Sequence, residues 1–265
     1  MERTDYTEAN RAAWNEAAPV HARRNLDRLL LEFSRRGFSC LDPIETALLQ
    51  DCGLAGKDAV QLCCNNGREI LSIKNLGAGR CVGFDISDAF IDEARRLAAA
   101  GRIDCAFVRS DVYSIPAEFD AAFDVAYVSV GVLTWMPDLP AFFAVASRLL
   151  RPGGRLLVYE LHPTAEMFEP EPGSAPPAPR HSYFDRGPFA ESDGLDYYGN
   201  RKYPSITHYS FHHTLGDVLE SCLGAGFAIR SFREYGHDIA NIFAPFATME
   251  VRLPLCYTLV AARRG

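Results

Sequence analysis

The chain has 265 residues, of which 48% are apolar, and its 34 acidic residues outnumber 27 basic ones to give a net charge of −7. This length allows a core that needs no disulfide or metal to hold it, and the acidity argues against a surface that follows a nucleic-acid backbone, which demands clustered Lys and Arg. Because no apolar run approaches membrane-spanning length and the first residues lead into no secretory signal, we expect a cytoplasmic protein with neither membrane nor nucleic acid as partner.

The first part of the chain predicts an N-terminal helical cap, residues 1–52. Apolar residues recur at three-to-four-residue spacing around Trp14 and again between Leu26 and Phe33, which is the period of an amphipathic helix. From Ala59 onward this spacing gives way to short apolar runs, so the cap ends before the first predicted strand.

Residues 53–161 alternate apolar strands with amphipathic helices. Helices fill the intervals between the strands, and Ser87 stands where it can cap the helix after the second strand. Strands that alternate with helices at this spacing predict an α/β protein with a doubly wound, mostly parallel sheet and a Rossmann-like core. The five strands are predicted at residues 59–63, 80–85, 103–108, 123–130 and 155–161.

Between residues 162 and 204 the alternation stops. This stretch holds eight of the sixteen prolines together with several tyrosines, and its aromatic content favours an ordered, loop-rich insertion over a flexible linker. We expect this insertion to form a lid over the substrate. Residues 205–265 then return to the core, with a helix that Thr214 caps and two strands at 227–232 and 255–261.

The eight cysteines show neither a CxxC pair nor a spacing typical of zinc ligands. Several of them lie in apolar runs, which predicts buried, reduced thiols and no metal site. Only the adjacent pair Cys63 and Cys64 falls where a ligand is expected.

Polar residues follow four of the predicted strands. In an open parallel sheet, ligands bind outside the carboxyl ends of the strands. The turn 63–67 offers the free N–H groups of a helix start, and Asp85 is placed to accept hydrogen bonds from ribose hydroxyls. Residues 110–112 and 129–131 follow the next two strands. Because the first turn is not GxGxxG, the pattern favours a mononucleoside with a short charged tail over a dinucleotide.

From about Ala59 to Ala262 the chain resembles the class I, Rossmann-like S-adenosylmethionine-dependent methyltransferases of the small-molecule type. The Arg-Pro-Gly-Gly-Arg run at 151–155 and the Asn-Arg-Ala-Ala-Trp run at 10–14 also carry the resemblance. It implies seven strands with a C-terminal antiparallel hairpin, and S-adenosylmethionine as cofactor. The cofactor-binding residues that it implies are Gln61, Cys63, Cys64, Asn65, Gly67, Asp85, Ile86, Asp111, Val112, Ser129 and Val130.

The resemblance also assigns roles to these positions. By it, Asp85 holds the ribose hydroxyls, Asp111 accepts a hydrogen bond from the adenine amino group, and the Val112 N–H meets the adenine ring. Ser129 and Val130 lie beside the methionine part of the cofactor.

The first motif departs from the family pattern at three positions. Gln61 stands where the family usually has Asp or Glu, and Cys63 and Asn65 stand where it has glycine, whereas Gly67 keeps the third glycine. Asn tolerates the left-handed conformation, Cys is small, and Gln keeps an acceptor, so we interpret the turn as a variant that still binds the cofactor. The competing interpretation is a degenerate site that does not bind it.

Methyl transfer from a sulfonium needs alignment of donor and acceptor and exclusion of water, and a general base only where the acceptor must lose a proton. His162, directly after the fifth strand, is the candidate base. Tyr6, Trp14, Tyr197 and Tyr198 are the candidate acceptor pocket, because the core itself has no wall above the methyl group.

Two other functions remain open on the sequence. One is a protein of the methyltransferase fold that binds the cofactor without methylating. The other is an NAD-dependent oxidoreductase, which would need the glycine fingerprint that the first turn lacks. A small molecule is the expected substrate, and a homodimer is compatible with the sequence.

Overall fold

The computed structural model describes residues 1–168, 178–196, 198, 202–240, 246, 250 and 252–265. Within these residues, a seven-stranded sheet is covered by helices on both faces. The helices are α1 (Arg3–Phe33), α2 (Pro43–Asp51), α3 (Arg68–Asn75), α4 (Asp88–Gly101), α5 (Leu139–Leu149) and α6 (Leu215–Gly224). The strands are β1 (Ala59–Leu62), β2 (Cys81–Asp85), β3 (Ala106–Arg109), β4 (Phe123–Val128), β5 (Leu150–Leu161), β6 (Phe189–Glu191), β7 (His208–Ser210), β8 (Phe227–Tyr235) and β9 (Cys256–Arg263).

The sheet has the strand order β3-β2-β1-β4-β5-β9-β8. Strands β1 to β5 pair in parallel, whereas β9 runs antiparallel to both β5 and β8. The α/β fold with a doubly wound sheet and a C-terminal antiparallel hairpin is therefore confirmed. The order reverses between β1 and β4, which is where such sheets bind ligands.

Burial on both faces explains why the central strands are nearly all apolar. In β1 and β4, Leu62 and Val128 pack in the core beneath α5 and α6, whereas Ala59 and Val125 pack in the core beneath α1 to α4. Because successive side chains of a strand point to opposite faces, each of these strands contributes to both cores.

Three strands differ from prediction by three residues or more. β3 begins at Ala106 rather than at residue 103, β5 begins at Leu150 rather than at residue 155, and β8 ends at Tyr235 rather than at residue 232. All three differences lie at strand boundaries, where the hydrophobic pattern is least informative.

A separate two-stranded sheet, β6 with β7, was not predicted from the sequence. Glu191 pairs with His208 across it, so the hairpin extends past residue 204, the expected end of the insertion. Strands of three residues are too short to show the alternation that identifies a strand.

All eight cysteines carry free thiols. No described helix combines the length and the apolar character that crossing a membrane would require.

Candidate functional site

The turn after β1 is held in left-handed backbone conformations. The φ angles are 54° at Cys63, 50° at Asn65 and 75° at Gly67, which are the three positions where the resembling family has glycine. Each non-glycine residue in this region costs about 1 kcal/mol or more. At Gly67 a side chain would collide with the Phe107 ring, so this glycine is required by space as well as by conformation.

Asp85, at the end of β2, holds this turn in place. Its Oδ2 accepts the Asn65 N–H at 2.7 Å, and its Oδ1 accepts the Ser87 N–H at 2.8 Å. Burial raises the pKa of Asp85 to about 6, against the hydrogen bonds from Ser87, Asn65 and Ile86 that lower it. A carboxylate oxygen can accept more than one hydrogen bond, so both oxygens keep capacity for two ribose hydroxyls.

The two adjacent cysteines point to different sides of the sheet. Cys63 is half-buried and packs with the core beneath α5 and α6, whereas Cys64 is fully buried in the opposite core, with Sγ against the Gly83 backbone. Desolvation, and after it the charges of Asp85 and Asp111, raise the pKa of the Cys63 thiol. Neither thiol is therefore activated as a nucleophile, and the Cys64 thiol donates a weak hydrogen bond to the Asn65 carbonyl at 3.7 Å.

Gln61, a residue of β1, is completely buried, and its side chain contacts the start of α3 and the end of β4. Its Oε1 accepts the Ile70 N–H at 3.0 Å, and its Nε2 donates to Ser129 Oγ at 3.2 Å. Because Gly67 has no side chain to cap α3, the Gln61 amide takes over one of the N–H groups at the start of that helix.

Asp111 and Val112 follow β3 beside the same edge. Asp111 Oδ1 accepts the Tyr113 N–H at 3.0 Å, and Oδ2 accepts the Thr7 hydroxyl at 2.7 Å. The Val112 side chain is buried in the core beneath α5 and α6. The residue expected to recognise adenine is thus also a contact of helix α1.

Helix α1 lies across this edge of the sheet. Arg11 donates to Asp88 at 2.7 Å, and Ser87 Oγ donates to Asn15 Oδ1 at 2.7 Å, which ties α1 to the start of α4. Sequence reasoning missed the contact from Thr7. The sequence carries one signal for this contact: Thr7 is a polar residue seven positions before Trp14, and it therefore lies on the same face of the helix.

Ser129 and Val130 are half-buried at the end of β4. The backbone just beyond them is fixed by Glu160 of β5, whose carboxylate accepts the Gly131 N–H at 2.5 Å and the Leu133 N–H at 2.9 Å. Burial raises the pKa of Glu160 to about 7, and these hydrogen bonds lower it. Glu160 therefore orders the turn after β4 rather than facing a ligand.

A cluster of aromatic rings joins α1 to α4, to the turn after β4 and to the insertion. Ring centroids are 5.0 Å apart for Trp14 and Trp135, 6.0 Å for Trp14 and Phe90, and 5.2 Å for His21 and Tyr198. These five residues come from α1, from the turn after β4, from α4 and from the insertion. We call them the aromatic cluster. Sequence reasoning named Trp14 and Tyr198 and missed the other three.

Tyr198 also contacts the start of α3. Its hydroxyl accepts a hydrogen bond from Arg68 at 3.1 Å, one residue after Gly67. Part of the insertion therefore contacts the start of α3 through this hydrogen bond.

Tyr6 lies apart from the aromatic cluster. It packs edge-on against Tyr209 at 5.1 Å and Phe211 at 5.3 Å. His208, the neighbour of Tyr209 on β7, instead lies 5.8 Å from Trp135, because alternate strand residues face opposite sides. Tyr197 lies outside the described residues.

His162 is engaged on both ring nitrogens. Nδ1 lies 3.1 Å from the Thr164 backbone nitrogen and 2.7 Å from the Thr164 hydroxyl oxygen, and Nε2 lies 2.8 Å from Glu234 Oε1. Burial lowers the pKa of His162, and Glu234 of β8 opposes that effect. The ring is directed toward β8 and both of its nitrogens contact protein groups, so the catalytic role of His162 stays a prediction.

Glu191, Asp193 and His208 bring potential metal-ligand atoms within 4.8 Å of one another on the hairpin. Asp193 is already paired with the Lys202 ammonium at 2.9 Å. Sequence reasoning had named none of these three residues as a metal ligand.

Comparisons with known proteins agree with this geometry. Residues 59–154 match the family described as a methyltransferase domain. The 2-phytyl-1,4-naphtoquinone methyltransferase of Synechococcus elongatus is 34% identical over 113 residues, which are 40% of this chain and 47% of that protein. The match thus spans about half the length of that curated relative.

Solved structures extend the likeness to most of the chain. An S-adenosylmethionine-dependent methyltransferase from Mesorhizobium loti superposes with a TM-score of 0.61 at 23% identity, covering 82% of this chain and 96% of that one. The cyclase SpnF superposes with a TM-score of 0.55 at 19% identity, covering 94% of this chain and 96% of that one. At these identities the likeness concerns the fold.

Fold, domain match and strand-end residues together define a class I, Rossmann-like methyltransferase domain. By that match residues 59–154 form a methyltransferase domain, and the fold around them is shared with S-adenosylmethionine-dependent methyltransferases. S-adenosylmethionine is the cofactor of this class, and the oxidoreductase alternative finds no support. The Asp85 carboxylate is half-buried and lies beside the backbone of the turn after β1, an arrangement that fits the nucleoside part of that cofactor.

Proposed function

We propose that the chain transfers the methyl group of S-adenosylmethionine to a small-molecule acceptor at the edge formed by β1, β2 and β4. The cofactor supplies a methyl group on a sulfonium, whose departure leaves a neutral sulfur. The observation that carries the proposal is the Asp85 carboxylate, which is fixed by the Asn65 and Ser87 N–H groups and retains acceptor capacity.

The strand-end residues are proposed to bind and orient the cofactor. Asp85 would accept the ribose hydroxyls, with Ile86 beside it. Asp111 and the Val112 N–H would contact the adenine, and Ser129 and Val130 would lie beside the methionine part. Helix α1 contacts Asp111 through Thr7, so we propose that it covers the site and excludes water from the displacement.

The aromatic cluster is proposed as the acceptor pocket, with Trp14 and Tyr198 as its sequence-predicted members. Flat aromatic walls suit a planar, largely apolar acceptor. The naphthoquinone in the name of the Synechococcus relative fits the same description. Tyr6 packs on the far side of β7 and is left out of this pocket.

Calorimetry with S-adenosylhomocysteine, S-adenosylmethionine and NAD tests cofactor choice first. We expect both sulfur nucleosides to bind and NAD not to bind. Mass spectrometry of quinols, phenols and amines incubated with protein and S-adenosylmethionine then tests turnover. Failure of both sulfur nucleosides to bind would overturn the proposal.

A non-methylating protein of the same fold is the second candidate. It is favoured by the departures from the family pattern at Gln61 in β1 and at Cys63 and Asn65 in the turn after it, and by the cyclase whose fold covers most of the chain. Binding of S-adenosylmethionine without methylation of any acceptor would support this candidate.

The compartment and the assembly complete the proposal. Eight free thiols suit a reducing compartment, which supports a cytoplasmic location. The homodimer remains an expectation, and light scattering coupled to gel filtration would measure it.

A further inference from the structure

The amide of Gln61 has a fixed orientation. The Ile70 N–H can only donate, so the Gln61 atom 3.0 Å from it is the oxygen, and the amide nitrogen faces Ser129 Oγ at 3.2 Å. The usual ambiguity between the two ends of an amide is therefore removed by a backbone donor.

This orientation fixes the polarity of Ser129. An amide nitrogen cannot accept a hydrogen bond, so Ser129 Oγ must accept from Gln61, and its own hydroxyl hydrogen points elsewhere. Among the residues that the structure describes, Gln61 is the one recorded hydrogen-bond partner of the Ser129 side chain. Ser129 is half-buried at the carboxyl end of β4, so its hydroxyl hydrogen is available for donation to a ligand at that edge.

We propose that Gln61 sets Ser129 as a hydrogen-bond donor to the methionine carboxylate of S-adenosylmethionine. The inference rests on the proposed function and concerns one end of the same cofactor. Ser129 follows β4, next to the turn after β1, and the start of α3 adds positive potential there. Because Gln61 is neutral, it places no negative charge behind Ser129 that would repel a carboxylate.

An acid at position 61 would reverse this arrangement. Its second oxygen could only accept, so the Ser129 hydroxyl would turn toward position 61 and present a lone pair to the ligand. A buried negative charge would also lie behind it. Gln61 is in this view a positioning residue that acts through Ser129.

The test compares two ligands that share the nucleoside and the sulfur. S-adenosylhomocysteine carries the amino-acid tail, whereas 5′-methylthioadenosine has a methyl group in its place. Calorimetry measures both ligands on wild-type protein, Gln61→Glu, Ser129→Ala and, as matched control, Ser114→Ala. Ser114 is exposed after β3.

We expect Ser129→Ala to weaken S-adenosylhomocysteine about tenfold, as loss of a hydrogen bond to a charged group does. Gln61→Glu should weaken it further. Both variants should change 5′-methylthioadenosine affinity by less than about twofold, and the control should change neither ligand. Should the buried acid prevent folding, Ser129→Ala still decides the question.

Two outcomes would overturn the inference while leaving the proposed function intact. In one, Gln61→Glu strengthens S-adenosylhomocysteine binding. In the other, Ser129→Ala weakens both ligands equally. If wild-type protein binds neither ligand, the proposed function itself fails.

Discussion

The turn after β1 and the cover formed by α1 with the β6–β7 hairpin are built in opposite ways. In the turn, position is set by backbone φ angles and by hydrogen bonds that Asp85 makes to nearby Asn65 and Ser87. In the cover, Thr7 bonds Asp111 across 104 positions, and Asn10 bonds Tyr209 across 199. The hydrogen bonds of Asp85 span 2 and 20 positions of the chain, whereas those of the cover join segments that lie 104 and 199 positions apart.

The contact between Asn10 and Tyr209 illustrates the second kind. Asn10 donates to the Tyr209 carbonyl at 2.9 Å and accepts its N–H at 2.7 Å, so one side chain pairs with the hairpin as a neighbouring strand would. Cofactor binding should therefore depend on the turn, whereas shielding of the site from water should depend on α1 and the β6–β7 hairpin.

The largest expected effect falls on the turn. Asp85→Asn removes the carboxylate that we propose accepts both ribose hydroxyls, and we expect S-adenosylhomocysteine affinity to fall about 100-fold, since hydrogen bonds to charged groups contribute about 1.5–3 kcal/mol each. Isothermal calorimetry measures the loss, and circular dichroism checks the fold.

Asp92→Asn is the matched control. Asp92 lies on the exposed side of α4, where it pairs with Arg95, and its loss should leave affinity unchanged. Equal binding by the Asp85 and Asp92 variants would show that the turn does not hold the ribose.

The pH dependence of binding should follow Asp85. Burial raises the pKa of this carboxyl to about 6, and the ionised form is the better acceptor, so affinity should fall as pH drops through that value. Between about pH 7.5 and about pH 5 we expect a loss of about tenfold. Asp85→Asn should abolish this dependence.

The raised pKa of Asp85 makes the free energy of unfolding depend on pH in the opposite direction. The folded protein holds the Asp85 proton at pH values where the unfolded chain has released it. The contribution of Asp85 to the free energy of unfolding therefore decreases as pH rises from about 4 to about 6. Binding that strengthens toward low pH would contradict the role of the ionised carboxylate.

The cover should produce a smaller effect. Thr7→Val removes the hydroxyl that donates to Asp111, and we expect the free energy of unfolding to fall by about 1 kcal/mol and S-adenosylhomocysteine affinity about threefold. Urea denaturation and calorimetry measure the two. Thr4→Val, on the exposed side of α1, is the control. An equal effect in that variant would show that the hydrogen bond from Thr7 to Asp111 does not contribute to cofactor binding.

The same division separates the features that could be predicted from the sequence from those that could not. The strands and the turn were predictable because apolar runs, Asp85 and the near-glycine spacing of Cys63, Asn65 and Gly67 lie close together in the chain. The aromatic cluster was only partly predictable, because Trp135 carries no local signal that it meets Trp14. Partners that are distant in the chain are fixed by tertiary packing, which no local pattern records.

The smallest expected effect concerns backbone strain. Cys63→Gly removes a side chain from a left-handed position, which gains about 1–2 kcal/mol against about 0.5–1 kcal/mol of added flexibility. We expect the free energy of unfolding to rise by about 0.5 kcal/mol in urea denaturation. Cys63→Ala keeps the Cβ atom and should gain nothing; equal gains in both variants would place the effect in the thiol instead.

The central claim is that the turn after β1, despite its departures from the family pattern, binds the cofactor. Calorimetry of the wild-type protein with S-adenosylhomocysteine tests this most directly. We predict one bound nucleoside per chain, with affinity lowered about 100-fold in Asp85→Asn and unchanged in Asp92→Asn. A wild-type protein that takes up no S-adenosylhomocysteine would contradict it.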